Sequence, residues 1–133
     1  DIKFSVEVPD DLLMVPMDPI LIEQVLSNLI ENAATHGVTT TAIHLSVKET
    51  EDGFAAFSVR DNGRGIPEGR LHNLFDGTQS AQKGDSTRSM GIGLSVCRTI
   101  VLAHGGVIRG DNKPGGGAVF TVTLPMKGES DED

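Results

Sequence analysis

From Lys3 to Val8 polar and apolar residues alternate (Lys-Phe-Ser-Val-Glu-Val), the period of a half-buried strand, and Pro9-Asp10-Asp11 closes it. A short apolar piece, Leu12 to Met17, follows. At Asp18-Pro19 the period changes: a carboxylate able to cap precedes a proline at the first helical position, and Ile22, Val25, Leu26, Leu29, Ile30 and Ala33 recur at helical spacing. This pattern predicts a helix from about Asp18 to His36, stopped at Gly37. Ile43, Leu45 and Val47 alternate again, and Glu51-Asp52-Gly53 turns the chain into a second run, Phe54 to Arg60, giving an antiparallel hairpin. From Asp61 to Met90 the chain is rich in Gly, Ser, Asp and Gln with little periodicity, broken by a helical turn around Leu71 to Phe75. A helix is expected from Gly91 to His104 with Leu94, Cys97, Ile100 and Val101 on one face, ended by Gly105-Gly106. Two last strands, Val107 to Gly110 and Ala118 to Leu124, flank the turn Lys113-Pro114-Gly115-Gly116-Gly117.

The resulting order, β-(β)-α-ββ-loop-α-ββ with strands paired mainly as hairpins, predicts an α+β sandwich with helices on one sheet face. At 133 residues the chain holds one domain, placed at 1–126, and its residues 127–133 form an acidic stretch expected to be disordered. With five Phe and neither Trp nor Tyr, the core should be aliphatic. A net charge of −8 disfavours general nucleic-acid or anionic-membrane binding but leaves room for a small phosphate pocket. The single cysteine cannot form an internal disulfide, which fits a reducing compartment, and no apolar run reaches the length of a membrane span.

Long loops of low periodicity inside a small domain usually carry function, so the glycine clusters in and beside this one matter. Asn62-Gly63-Arg64-Gly65, Gly91-Ile92-Gly93 and Gly115-Gly116-Gly117 match neither the dinucleotide fingerprint nor the P-loop. Gly91-Ile92-Gly93 stands where a helix is expected to begin, either as an anion site of free N–H groups or as an ordinary flexible loop. Asp61 leaves a strand just before a Gly-x-Gly turn. Its carboxylate could accept a hydrogen bond from an exocyclic amine such as that of adenine, or the segment could be only a turn. Asn28 and Asn32 share a face of the long helix with Glu31 and His36 nearby. Left unpaired, each carboxyamide costs about 1–3 kcal/mol. The pair could serve Mg2+, which borrows one or two protein oxygens beside phosphates, or could simply be capped or solvated. The four histidines show no zinc spacing, and Cys97 falls on an apolar face, as a core residue does.

Five segments in order carry a resemblance: Asn28-Leu29-Ile30-Glu31-Asn32-Ala33, Asp61-Asn62-Gly63-Arg64-Gly65-Ile66-Pro67, Leu74-Phe75, Gly91-Ile92-Gly93-Leu94-Ser95 and Gly115-Gly116-Gly117-Ala118-Val119-Phe120. They resemble the N, G1, F, G2 and G3 boxes of the ATP-binding catalytic domain of sensor histidine kinases, within the gyrase, Hsp90, histidine kinase and MutL superfamily. The run from Gly91 to Val101 into Ala103-His104-Gly105-Gly106, with the Asp18-Pro19 helix entry, looks most like the Kdp-type potassium sensor kinases. The resemblance implies the Bergerat fold, a two-layer sandwich in which three helices cover a mixed sheet, with ATP and Mg2+ as cofactors. It implies that Asp61 contacts the adenine amine, that Gly63, Gly65 and Ile66 shape the base pocket, and that Asn32 coordinates Mg2+. It also implies that Asn28 supports the phosphates, that Glu31 occupies the acid/base position, and that Gly91, Gly93 and Leu94 present N–H groups to the phosphate chain. Phe75, Arg88, Ile92 and Thr121 complete the implied nucleotide-binding set.

Three departures stand out. Ser89 replaces a frequent glycine, Thr35 takes a position where many such kinases have Lys or Arg, and the segment from Asp76 to Met90 lacks a second Phe. None of the four histidines precedes an acid, so the phosphoacceptor is expected on a separate dimerisation domain, with a response regulator downstream and the parent kinase a homodimer. The fragment itself is expected to be monomeric, and cytoplasmic within a parent anchored in the bacterial inner membrane. Competing readings are an anti-sigma-factor-type serine kinase, which often has the Asn-Ala-x-x-His-Gly pattern of Asn32 to Gly37, and a non-enzymatic nucleotide-sensing module.

Overall fold

Asp18 starts the first helix as its residue type suggests: its Oδ1 accepts the N–H groups of Ile20 and Leu21 at 3.0 and 3.3 Å, satisfying donors that have no intrahelical partner. The computed structural model describes residues 2–9, 14–36, 39–75 and 85–126. The elements are β1 (Lys3–Glu7), α1 (Pro19–His36), β2 (Ala42–Glu49), β3 (Phe54–Asp61), a 3-10 segment (Glu68–Asn73), α2 (Asp85–Ala103), β4 (Val107–Asn112) and β5 (Ala118–Pro125).

One five-stranded sheet has the order β1-β2-β3-β5-β4. β1 runs parallel to β2 and every other neighbour is antiparallel, so the sheet is mixed and only β2–β3 and β4–β5 are hairpins. The core lies between the sheet and the helices. Ile22, Val25, Leu29 and Ala33 of α1 and Leu94, Cys97, Ile100 and Val101 of α2 are buried against Ile43, Val59, Phe120, Val122 and Leu124. Apart from the ring of Phe57 and Phe120 this core is aliphatic, as composition requires. β3, central in the sheet, is buried on both faces over Ala55–Val59, with the small Ala56 and Ser58 on the side away from the helices.

Three expectations shift. The piece around Met14–Met17 forms no strand among the described residues, and Leu12 and Leu13 lie outside them. The helical turn falls at Glu68–Asn73, because Pro67, with φ −57°, sets the chain into it three residues earlier than the apolar signal of Leu71 to Phe75. α2 begins at Asp85 and not at Gly91, where the residue types Asp85-Ser86-Thr87 suit a helix start without supplying apolar periodicity. Two α-helices and the 3-10 segment are the helical elements among the described residues, in keeping with the expected two-layer sandwich on a mixed sheet. α2 ends in paired bonds from Gly105 N–H to Leu102 O and Gly106 N–H to Val101 O, both 3.0 Å. No helix among the described residues is long and apolar enough to cross a membrane. The acidic stretch 127–133 lies outside the described residues.

Candidate functional site

Asp61 closes β3 on the face that carries Phe57 and Val59, only 5% exposed. A buried carboxylate must be paired or hydrogen-bonded. Its Oδ1 accepts Gly63 N–H at 2.8 Å and Ala118 N–H at 3.3 Å, and Oδ2 bonds no described residue. One oxygen therefore fixes the orientation and the other is left to accept a hydrogen from elsewhere.

The loop after Asp61 is held from two sides. Asn62 Oδ1 accepts the N–H groups of Thr41 and Ala42 at 2.9 and 3.0 Å, and its Nδ2 donates to Thr41 Oγ1 at 2.9 Å, tying the loop to the start of β2. From the β4–β5 turn, Lys113 Nζ donates to Asp61 O at 3.1 Å, and Asn112 bonds Ile66 twice. Gly117 has φ +94°, and a Cβ there would run into the carbonyl oxygen of Asp61, so this position demands glycine on both counts. Gly65, at φ +86°, lies under the carboxamide of Asn112, whose Oδ1 would be 2.7 Å from a Cβ. By contrast, Gly115 and Gly116 face open space and serve the turn alone. Sequence reasoning placed Asp61, Gly63, Gly65 and Ile66 together, and the structure does so. It missed Asn62, Asn112 and Lys113, because their partners are backbone atoms on other elements and leave no spacing to read.

α1 brings a second group to the helix layer. Asn28 and Asn32 are both half-buried, while Glu31 beside them is exposed. Asn28 Nδ2 donates to Cys97 Sγ at 3.6 Å, and the thiol donates to Val25 O at 3.8 Å. Cys97 is fully buried, and burial pushes its thiol pKa up, so it stays protonated and neutral. Nδ2 of Asn32 is buried with no partner among the described residues. Ala33, Ile66 and Leu94 belong to one buried cluster, which makes α1, the loop after β3 and α2 converge. Among the described residues no three His, Cys, Asp or Glu side chains gather as a metal cluster.

The remaining expected site residues divide. Phe75 is half-buried against the core beside Leu74, itself fully buried. The side chains of Arg88 and Ile92 lie outside the described residues, as does that of Thr35. Gly91, Gly93 and Leu94 lie inside α2, not at its start; N–H groups beyond the first four of a helix bond carbonyls one turn back, so in this structure they are not free donors. Leu94 is a core side chain. Thr121 does not join the site: it pairs with Ser58 and meets its hydroxyl at 3.5 Å on the face away from the helices, opposite to Asp61. Alternation along β5 dictates this, since Phe120 and Val122 point into the core.

The chain matches the family described as "Histidine kinase-, DNA gyrase B-, and HSP90-like ATPase" over residues 17–128. It is 42% identical over 127 residues to the sensor protein KdpD of Clostridium acetobutylicum, covering 94% of this chain and 14% of that protein. It is 36% identical over 131 residues to the adaptive-response sensory kinase SasA of Synechocystis, covering 95% of this chain and 33% of that protein. The chain thus spans about a seventh to a third of these relatives. Its fold is similar to the catalytic domain of histidine kinase ThkA, with TM-score 0.76, 30% identity and coverage of 94% of this chain and 80% of that one. With the N-terminal asparagine helix, the Asp61 loop and the mixed sheet all in place, the chain belongs to the histidine kinase-, DNA gyrase B- and HSP90-like ATPase family.

Proposed function

We propose that this domain binds Mg2+ and ATP and delivers the γ-phosphoryl group to a histidine on a separate dimerisation domain, as the catalytic part of a two-component sensor histidine kinase. The observation that carries the reading is Asp61, a buried carboxylate with one oxygen pinned by two N–H groups and the other unpaired among the described residues. An adenine amine satisfies that oxygen, whereas guanine presents an acceptor there. Gly63, Gly65 and Ile66 form the wall around the base, with Phe75 nearby. Similarity to the catalytic domain of histidine kinase ThkA supports a histidine acceptor over a serine.

Asn32 fits a cation and phosphate neighbour by its chemistry. Its unpaired Nδ2 has a donor to spend on a phosphate oxygen, and a carboxyamide oxygen is the kind of single protein ligand Mg2+ accepts. Bound there, the ion would neutralise charge developing on the phosphates. Asn28 would support the same phosphates, and Glu31 would hold the proton of the attacking imidazole. Gly91, Gly93 and Leu94 can donate to phosphate only if α2 shortens to begin near Gly91. Arg88 would then add a cation. The parent is proposed to be a dimeric kinase anchored in the inner membrane, and a response regulator to take the phosphoryl group from its histidine.

The test is transfer of labelled phosphate from ATP to a supplied dimerisation domain of a KdpD-type relative. Labelled acceptor histidine is the expected result, with none on this chain. Transfer to serine, or ATP binding without any transfer, overturns the reading. Amide exchange tests the α2 step: with ATP, exchange should speed at Ser86–Ser89 and stay slow at Gly91 and Gly93. An unaltered pattern removes these N–H groups from the phosphate site.

A further inference from the structure

The six residues from Asp61 to Ile66 are stapled at both ends by one turn. At the first end Lys113 Nζ donates to Asp61 O at 3.1 Å, and Ala118 N–H donates to Asp61 Oδ1 at 3.3 Å. At the far end Asn112 Oδ1 accepts Ile66 N–H at 2.7 Å, and Asn112 Nδ2 donates to Ile66 O at 3.0 Å, across 46 residues of sequence. Asn112 and Ala118 are direct partners in the β4–β5 ladder, so the two staples share one rigid pair. We propose that Asn112 is a positioning residue for base selection: by gripping both polar atoms of the Ile66 backbone it fixes the span of the loop relative to the Asp61 carboxylate, and so sets the preference for adenine over guanine.

The physical argument is one of geometry. A side-chain carboxamide that bonds an N–H and a C=O of the same residue imitates a neighbouring β-strand and holds that residue in two directions. Ile66 is buried in the core by its side chain, so the clamp and the core together leave its backbone no freedom. Gly65 then passes directly under the Asn112 amide, where a larger residue would push it away. Asn112 itself is exposed, so replacing it removes the clamp without opening the core.

This inference rests on the reading of Asp61 as the base-reading residue, and the experiment separates the two. Titrations of the chain with ATP and with GTP, and melting temperatures without nucleotide, are compared for the parent chain, Asn112→Leu, Asn112→Asp and Asp61→Ala. Asn112→Leu keeps the size and loses both bonds. ATP affinity should fall by about tenfold while GTP affinity changes little, so the ratio between them narrows. Asn112→Asp keeps the acceptor for Ile66 N–H but sets an oxygen against Ile66 O, and should narrow the ratio too, which keeps the test valid should the leucine variant fail to fold. An equal loss for both nucleotides with a lowered melting temperature makes Asn112 merely structural and overturns the inference, as does an unchanged ratio in both variants. An Asp61→Ala chain that still prefers ATP as the parent does overturns the underlying reading instead.

Discussion

In the nucleotide site proposed above, the base half and the phosphate half are built in opposite ways. Around Asp61 nearly every polar atom has its partner: Asn62, Asn112, Lys113 and the N–H groups of Gly63 and Ala118 all bond within the domain. Around α1, among the described residues, the amide of Asn28 reaches only a thiol at 3.6 Å and Asn32 Nδ2 has no partner, and the Gly91–Gly93 backbone is wound into α2. A finished half gives affinity and selection without reorganising. An unfinished half is completed by its ligand, so its residues act on the chemical step. Substitutions on the base side should therefore appear in binding constants, and those on the phosphate side in turnover.

The largest effect expected from this contrast is at Asn32. Asn32→Asp puts a second negative charge beside the phosphates and removes the donor, and should abolish transfer to a supplied acceptor domain. Because Nδ2 is buried without a partner among the described residues, a charged oxygen in its place is desolvated, and the melting temperature without nucleotide should fall while the chain stays folded. Normal transfer by the folded variant would place Asn32 with the packing and dissolve the contrast between the halves. Next comes Gly117→Ala, which forces a Cβ against the Asp61 carbonyl at φ +94°. It should cost about 1–3 kcal/mol of stability in a denaturant titration and weaken ATP through the displaced Asp61. Parent-like stability would mean that the turn is less rigid than its hydrogen bonds indicate.

How much of this was legible in the sequence follows the same division. α1 could be read almost to the residue, since Asp18-Pro19 caps it and Ile22, Val25, Leu29 and Ala33 mark its buried face. Both hairpins were also readable from alternation and turn residues. The start of α2 was not, because periodicity sees only the apolar half of a helix and the stretch Asp85–Met90 has little of it. The parallel β1–β2 pair escaped as well: strand pairing across α1 is long-range, and no local pattern encodes it. Within the candidate site, Asp61 and Asn32 could be singled out by residue type and spacing, whereas Asn62 and Asn112 act on backbone atoms 20 to 46 residues away and leave no such pattern. Thr121 was placed wrongly for a simpler reason: one step along a strand changes the face, and Phe120 holds the inward place.

On the base side, Asp61→Ala removes the proposed charge-assisted bond to the amine and should reduce ATP affinity by about 1.5–3 kcal/mol, roughly tenfold to a hundredfold. The parent chain should bind GTP poorly, and the alanine variant should lose that preference. Turnover at saturating ATP should change far less than affinity, which is the signature of a residue on the finished half. A variant with parent affinity but slow transfer would reverse the assignment of the two halves.

The smallest effect is expected at Cys97, where the phosphate side touches the core. Cys97→Ala deprives Asn28 of its acceptor and Val25 O of a second donor, both weak sulfur bonds, so ATP affinity should fall only about two- to threefold. The thiol also gives a pH signature of its own. Burial raises its folded pKa above the ordinary thiol value, so below that value both folded and unfolded chains keep the proton and its contribution to stability is complete. As pH rises past it, the unfolded chain ionises first, the unfolded state gains, and stability declines until the folded pKa is passed. Stability measured against pH should therefore fall more steeply in the alkaline range for the parent chain than for Cys97→Ala, and parallel curves would show that the thiol beneath Asn28 is reached by water.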